Sequence, residues 1–322
     1  MNRIKYFFIA LLGVAATMGC SSANGAADRA ETPQQEDKVV FDGDSAYAYV
    51  AKQCEFGPRV PNTAAHKACG EWLVSELSKR GKVTTQDVTL DAFDGTKLEA
   101  RNIICEINPD TSRRVLLLAH WDCRPWADND PNPAKRKEPV MGANDGASGV
   151  GVLLEAARVL SQKCKIGVDI LLVDAEDWGD SEGDSQDSWA LGTQYWVKNM
   201  HRPNYRPMFG ILLDMVGTKN AEFRQEYFSM LHAQQICDIV WREALQSGYS
   251  RYFTSVRGGG ITDDHYFVNE AGIPCIDIID QNSITGTGFF EQWHTTDDTM
   301  THISAETLKA AGQTVVNVVM KY

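Results

Sequence analysis

Carboxylates and imidazoles recur in this chain at the ends of apolar runs. Val115 to Ala119 leads into His120-Trp121-Asp122, Ile170 to Val173 into Asp174-Ala175-Glu176-Asp177, and Phe209 to Leu213 into Asp214. A lone Asp after a strand is ordinarily a cap or turn residue. Independent caps are not expected to recur at successive runs, so these polar ends point to one shared crevice. A Gly-rich turn, Gly142 to Gly149, carries Asp145 just before a helix-like segment, and His294 stands in the late segment Gln292 to Asp298. Asp145, Asp177 and His294 form a set of two carboxylates and one imidazole, the donor type of a catalytic zinc that keeps its fourth position open. Glu176 adjoins Asp177, and neighbours on extended chain point to opposite sides. One of the two can bind metal while the other faces a substrate as a proton carrier.

Such groups must be held by a framework, and the periodicity supplies one. Asp44 to Glu55, Thr63 to Arg80, Ala147 to Gln162, Leu191 to Met200, Gln234 to Ser247, Asp264 to Ala271 and Ala305 to Lys321 have helix length and pattern. Thr63 is the expected N-cap of the second, with Gly81 as its stop. Val83 to Phe93 and Asn102 to Ile107 alternate like strands at the rim of a sheet. The apolar runs Val115 to Ala119, Ile170 to Val173, Phe209 to Leu213 and Ile273 to Ile279 are short and continuous, as in strands buried on both faces. Strand and helix in alternation imply a single α/β domain with a twisted, mostly parallel mixed sheet flanked by helices. Ligands of such sheets bind beyond the carboxyl ends of the strands, where the acidic residues stand.

The amino terminus reads as an address. Arg3 and Lys5 precede an apolar run from Tyr6 to Gly19, of signal-peptide length and too short to span a bilayer. Cys20 after Gly19 resembles the lipidation site of a bacterial lipoprotein, although Thr17 stands where Leu is usual. Residues 1–19 are therefore expected to be a signal peptide, 20–38 a tether and 39–322 the catalytic domain. Export to the periplasm of a Gram-negative bacterium, with a lipid anchor as the one membrane contact, is the expectation. Lys and Arg total 31 against 43 Asp and Glu, a net charge of −12. That excludes a sequence-independent grip on nucleic acid. Leaving Cys20 aside, the remaining cysteines are odd in number and lack a Cys-x-x-Cys pair, so at least one thiol is unpaired and most are expected to be buried and inert.

Taken together, Asn144-Asp145-x-x-Ser148-Gly149, the acidic pair after an apolar strand, Leu213-Asp214-Met215 and His294-Thr295 resemble the zinc exopeptidases of the M28 type. Within them the chain most resembles the animal-type glutaminyl-peptide cyclotransferases and their bacterial relatives. Ile261-Thr262-Asp263-Asp264-His265, Gln186-Asp187-Ser188 and Trp293 before His294 carry that finer likeness. The resemblance implies one zinc on Asp145, Asp177 and His294, with Glu176 as general acid and base. It implies a supporting carboxylate network of Asp214 and Asp263, and a pocket walled by Trp189 and Trp293. The implied reaction converts the N-terminal glutamine of peptides and exported proteins to pyroglutamate with release of ammonia, by a monomer. Two positions depart from the animal pattern: Asp177 replaces a Glu ligand, and Asp277 stands where those enzymes carry a His.

A rival reading is an aminopeptidase of the same fold, in which His120 and Asp214 join Asp145 around a second metal. Asp263 weighs against it, because a carboxyl placed against Asp214 would share its proton and weaken it as a ligand. A binding module that has lost catalysis is the third reading, and the complete ligand set weighs against that one. His66, His201, His232 and His302 read as surface or capping residues, and His265 as either structural or catalytic. Lys135-Arg136-Lys137 reads as a solvated loop tip. Gly258-Gly259-Gly260 reads as backbone slack with no strand leading into it.

Overall fold

The computed structural model describes residues 39–183, 185–281 and 285–322. The expected signal peptide, tether and Cys20 lie outside the described residues. Strands β1 (Lys82–Asp91), β2 (Lys97–Ile107), β3 (Arg114–His120), β4 (Gly167–Val173), β5 (Gly210–Asp214) and β8 (Cys275–Ile279) form one sheet in the order β1-β2-β4-β3-β5-β8. β4, β3, β5 and β8 run parallel, while β2 joins β4 antiparallel and β1 extends the edge as its hairpin partner. A mixed, mostly parallel sheet was the expectation, and the burial pattern shows why it was legible. All residues of β3, β4, β5 and β8 are buried, whereas β1 alternates along the edge.

Side-chain alternation splits these central strands between two cores. Val115, Leu117 and Ala119 of β3, with Ile170 and Leu172 of β4, face helices α1 (Gly43–Glu55), α3 (Ala147–Lys163) and α7 (Ala305–Met320). Leu116 and Leu118, with Leu171 and Val173, face Trp196 of α4 (Leu191–Lys198) and Val268 of α6 (Asp264–Glu270). Both faces are covered, so the strands carry no polar alternation. Helix starts follow from local hydrogen bonding: Asp42 caps α1, and Thr63 caps α2 (Ala64–Ser78) by accepting from the His66 N–H.

Two features escaped the sequence reading. Helix α5 (Tyr227–Gln246) begins well before Gln234, capped by Glu226, but Ala233 interrupts it with φ −139° and ψ 36°. The expected start marks this kink. A second, two-stranded sheet pairs β6 (Phe223–Gln225) with β7 (Phe253–Arg257). Both strands are short and partly exposed, so neither shows a period. β7 leads directly into Gly258-Gly259-Gly260, which corrects the expectation that no strand precedes that run. The described cysteines Cys54, Cys69, Cys105, Cys123, Cys164, Cys237 and Cys275 are all free thiols. Burial pushes the Cys69 and Cys105 thiols up to about 12, which keeps them unreactive.

Gly149 sets the distance between α3 and β5. A Cβ there would overlap the Leu213 carbonyl oxygen, a backbone atom one residue before Asp214. Gly149→Ala is expected to destabilise the domain by about 1–3 kcal/mol, as overpacking does, lowering the melting temperature by several degrees. Gly259→Ala has nothing within reach and is the control. Equal melting of Gly149→Ala and parent protein in a thermal scan would contradict this close-approach role.

Candidate active site

The polar strand ends converge as the topology requires. β3 ends at His120, β4 runs through Asp174 and Ala175 into Glu176-Asp177, β5 ends at Asp214, and the turn before α3 brings in Asp145. Ligand atoms of Asp145, Asp177 and His294 lie within 4.8 Å of one another, all three residues being buried. His294 Nε2 is 3.2 Å from the Asp177 carboxylate and 3.7 Å from that of Asp145, while Nδ1 faces Asp128 at 3.2 Å. Asp128 is held by Arg124 at 2.6 Å, and the same guanidinium reaches Asp177 at 3.4 Å. An imidazole whose Nδ1 is turned to a carboxylate presents Nε2 for ligation. Two carboxylate oxygens and one such nitrogen fit zinc.

Further carboxylates hold the ligand-bearing backbone. Asp122 accepts the N–H groups of both Glu176 and Asp177 at 3.2 Å. Asp298 accepts those of Asn144 and Asp145 at 2.8 and 3.1 Å. The Asn144 side chain accepts the Gly217 N–H at 2.8 Å and the Ser148 hydroxyl the Val216 N–H at 3.0 Å, tying the turn to the segment after β5. Gly146 is required by close approach, since a Cβ there would overlap the His120 ring. Ala175, Met215 and His294 adopt positive φ of 52°, 48° and 56°. Non-glycine residues enter this region at a cost, and here each stands within the site or beside a site carboxylate.

His120, Asp145 and Asp214 form a second buried cluster, with His120 Nε2 at 2.9 Å from Asp145 and 3.1 Å from Asp214. The groups a second metal would need are thus together. Burial, reinforced by the charges of Asp145 and Asp263, pushes the Asp214 carboxyl up to about 8 even though His120 opposes it. Burial also holds the Glu176 carboxyl well above the ordinary range, opposed by His120 and reinforced by Asp263 and Asp177.

Asp263 caps α6, accepting from the Asp264 N–H, and forms a buried cluster with His265 and with Asp277 of β8. His265 Nδ1 faces the Asp277 carboxyl at 3.8 Å. Asp214 lies 3.1 Å from His120 Nε2 and feels the charge of Asp263. Burial, reinforced by the charges of Asp263 and Asp214, pushes Asp277 well above its ordinary value.

These groups line a pocket of about 280 Å³ with Trp189, Trp293, Phe289, Ile261 and Ile279. The Trp293 ring stacks on His294 at 3.8 Å, and Trp189 lies nearly parallel to the same imidazole at 6.3 Å. Asp145, Glu176, Asp177, Asp214, Asp263, His294, Trp189 and Trp293 therefore share one cavity. Sequence reasoning missed Arg124, Asp128 and Phe289, which carry no local motif, and left Asp298 unassigned within Asp297-Asp298. It also misread His66, which is buried, hydrogen-bonded to Asp174 at 2.8 Å and stacked on Trp121. The His201 side chain is also largely buried, and its Nδ1 accepts from Trp196. His265 is buried, with Nε2 at 3.0 Å from Glu226.

Comparison with known proteins places this arrangement. The chain is similar to the solved structure of a Zn-dependent exopeptidase from Parabacteroides distasonis, with 55% identity and a TM-score of 0.87 over 88% of this chain and 100% of that one. It is similar to Bacteroides thetaiotaomicron glutaminyl cyclase, solved with N-acetylhistamine, at 49% identity and a TM-score of 0.86 over 88% of this chain and 99% of that one. Aminopeptidase YwaD of Bacillus subtilis is 29% identical over 80% of this chain, which spans about half (52%) of that protein's length. Residues 102–319 match the model of peptidase family M28, so by sequence, fold and convergent acidic residues the chain belongs to that family.

Proposed function

We propose that the protein is a glutaminyl-peptide cyclotransferase that closes N-terminal glutamine to pyroglutamate with release of ammonia, using one zinc per chain. Likeness to a solved glutaminyl cyclase, at 49% identity over nearly its full length, carries the choice of reaction.

The α-amine of the substrate is the nucleophile and its own γ-amide carbonyl the electrophile. The C–N bond that closes the five-membered lactam forms as the bond to the amide nitrogen breaks, and that nitrogen leaves as ammonia. Asp145, Asp177 and His294 would hold the zinc, which when bound supplies Lewis-acid polarisation of the γ-carbonyl and stabilises its oxyanion. Glu176 receives a proton from the attacking amine and delivers one to the departing nitrogen. Its carboxyl, raised by burial, suits a group that must hold a proton and pass it on. His120 holds Asp214 in the cavity wall that it shares with Glu176 and Asp263. Trp189, Trp293 and Phe289 exclude water from a pocket small enough for one folded side chain. Peptides and exported proteins with N-terminal Gln are the proposed substrates of a monomeric enzyme. Residues 1–38 are the proposed export and lipid-anchoring segment, carrying it to the periplasm of a Gram-negative bacterium.

Two experiments test the reading. Purified protein is expected to contain one zinc per chain by elemental analysis and to release ammonia from Gln-initiated dipeptides while leaving chromogenic aminoacyl substrates uncleaved. Chelation should abolish that activity and zinc should restore it. Two metals per chain with aminoacyl cleavage would instead establish the aminopeptidase. Separately, His294→Ala is expected to lose metal and activity together, whereas Glu176→Gln should keep its metal and melting temperature while kcat falls about 10²- to 10⁴-fold. Full turnover by Glu176→Gln would reverse the roles given to Glu176 and Asp177.

A further inference from the structure

An aromatic path leads outward from the pocket. Trp189, which lines the cavity, is covered by the buried Arg124 guanidinium at 4.9 Å from its ring, and the same guanidinium lies 5.0 Å from Trp126. Trp126 in turn meets Trp178 edge-on at 5.7 Å and Phe93 at 6.3 Å. Trp126 and Trp178 are half-buried, whereas Phe93 is 47% exposed at the tip of the β1–β2 hairpin.

Nothing in that hairpin tip requires a phenyl ring. Its turn is set by Asp94 accepting the Thr96 N–H at 2.9 Å, by Gly95 at φ 83° and by main-chain bonds between Ala92 and Thr96. Turn tips are ordinarily polar, and this one carries a large apolar ring toward solvent and toward Trp126. Arg124 is already committed below the rings. Its N–H groups serve Asp128, Asp177 and Gly179, so it holds Trp189 and Trp126 in fixed relation without presenting its charge to solvent.

The cavity has room for one residue, so the rest of a substrate must leave it across the rim. With Arg124 4.9 Å from one ring and 5.0 Å from the other, Trp126 lies within about 10 Å of Trp189, the reach of about three residues of extended chain at ~3.4 Å each. From this continuity we infer that Trp126 and Phe93 form a second binding surface, one that selects peptides with an aromatic or large apolar side chain within the three residues after the N-terminal glutamine. The inference rests on the cyclase reading and deepens it by naming a substrate class. The half-buried Trp126 ring, with the exposed Phe93 against it, is available for offset or edge-to-face packing. A glycine or alanine in the substrate gains nothing there.

The test compares Gln-Ala-Ala-Ala with Gln-Phe-Ala-Ala, Gln-Ala-Phe-Ala and Gln-Ala-Ala-Phe by initial-rate ammonia release. At least one Phe peptide is expected to exceed the all-Ala peptide in kcat/KM by about 3- to 10-fold, through KM, as an added aromatic contact allows. In Phe93→Ser and in Trp126→Ala that ratio should fall toward one. Phe93→Ser removes a ring that the turn does not use, so its folding is safe, and its melting temperature is read alongside. Equal kcat/KM for all four peptides in the parent enzyme, or an unchanged ratio in both variants, overturns the inference while leaving the cyclase reading intact. Absence of ammonia from every peptide overturns the cyclase reading itself.

Discussion

Crowding of buried carboxylates at one end of the sheet is the constraint on which the rest of the structure depends. Asp122, Asp145, Glu176, Asp177, Asp214, Asp263, Asp264, Asp277 and Asp298 are all buried there. Ionised together in a medium of low polarity they would repel one another and lose hydration that nothing replaced. The fold must neutralise each by a cation, a proton, or donated N–H groups. Three solutions are used in three places. Arg124 and His294 compensate the outer carboxylates, paired backbone N–H groups satisfy Asp122 and Asp298, and burial pushes Asp277 toward its protonated form.

That division of labour creates chemical differences among identical side chains. Asp145, next to His120 and His294, is held below the ordinary carboxylate range, whereas burial pushes Asp177, Asp214 and Glu176 upward. A metal and a proton carrier need opposite states of a carboxyl group within a few ångströms. Here the environment separates them, since residue type cannot. The positive φ values at Ala175, Met215 and His294 belong to the same arrangement. Each turns the chain sharply where a regular strand or loop would carry a carboxylate or imidazole past the cavity, and the packed sheet beneath holds the turn in place.

The aromatic groups answer the other half of the constraint. Water at the pocket would hydrate the carboxylates and weaken every interaction among them. Trp293 stacked on His294, with Trp189 nearly parallel to the same ring, shields the ligand cluster from water. Arg124 links the two systems, because its edge bonds to Asp128 and Asp177 and its faces lie near Trp126 and Trp189. Electrostatic compensation inside and apolar surface outside are thus provided by one side chain.

Periodicity and residue type determined much of this before any coordinates. Strands buried on both faces are mostly apolar, so β3, β4, β5 and β8 were legible, with the polar groups that end β3, β4 and β5, as were the helices α1 and α2 and the Thr63 cap of the second. Asn144-Asp145-x-x-Ser148-Gly149 was legible because each residue answers a local need of the turn and its neighbour strand. Short partly exposed strands such as β6 and β7 carry no period and were not. The site's outer support was equally silent: Asp128 and Arg124 reach His294 and Asp177 across long sequence separations, and no local pattern encodes that meeting. His66 looked superficial because its partner Asp174 is more than a hundred residues away. The surroundings of Asp263 were decided by tertiary structure alone. Residue type marks Asp214 and Asp277 as equal neighbours, whereas the fold sets Asp263 at the N-cap of α6 in one cluster with His265 and Asp277 and sets Asp214 against His120.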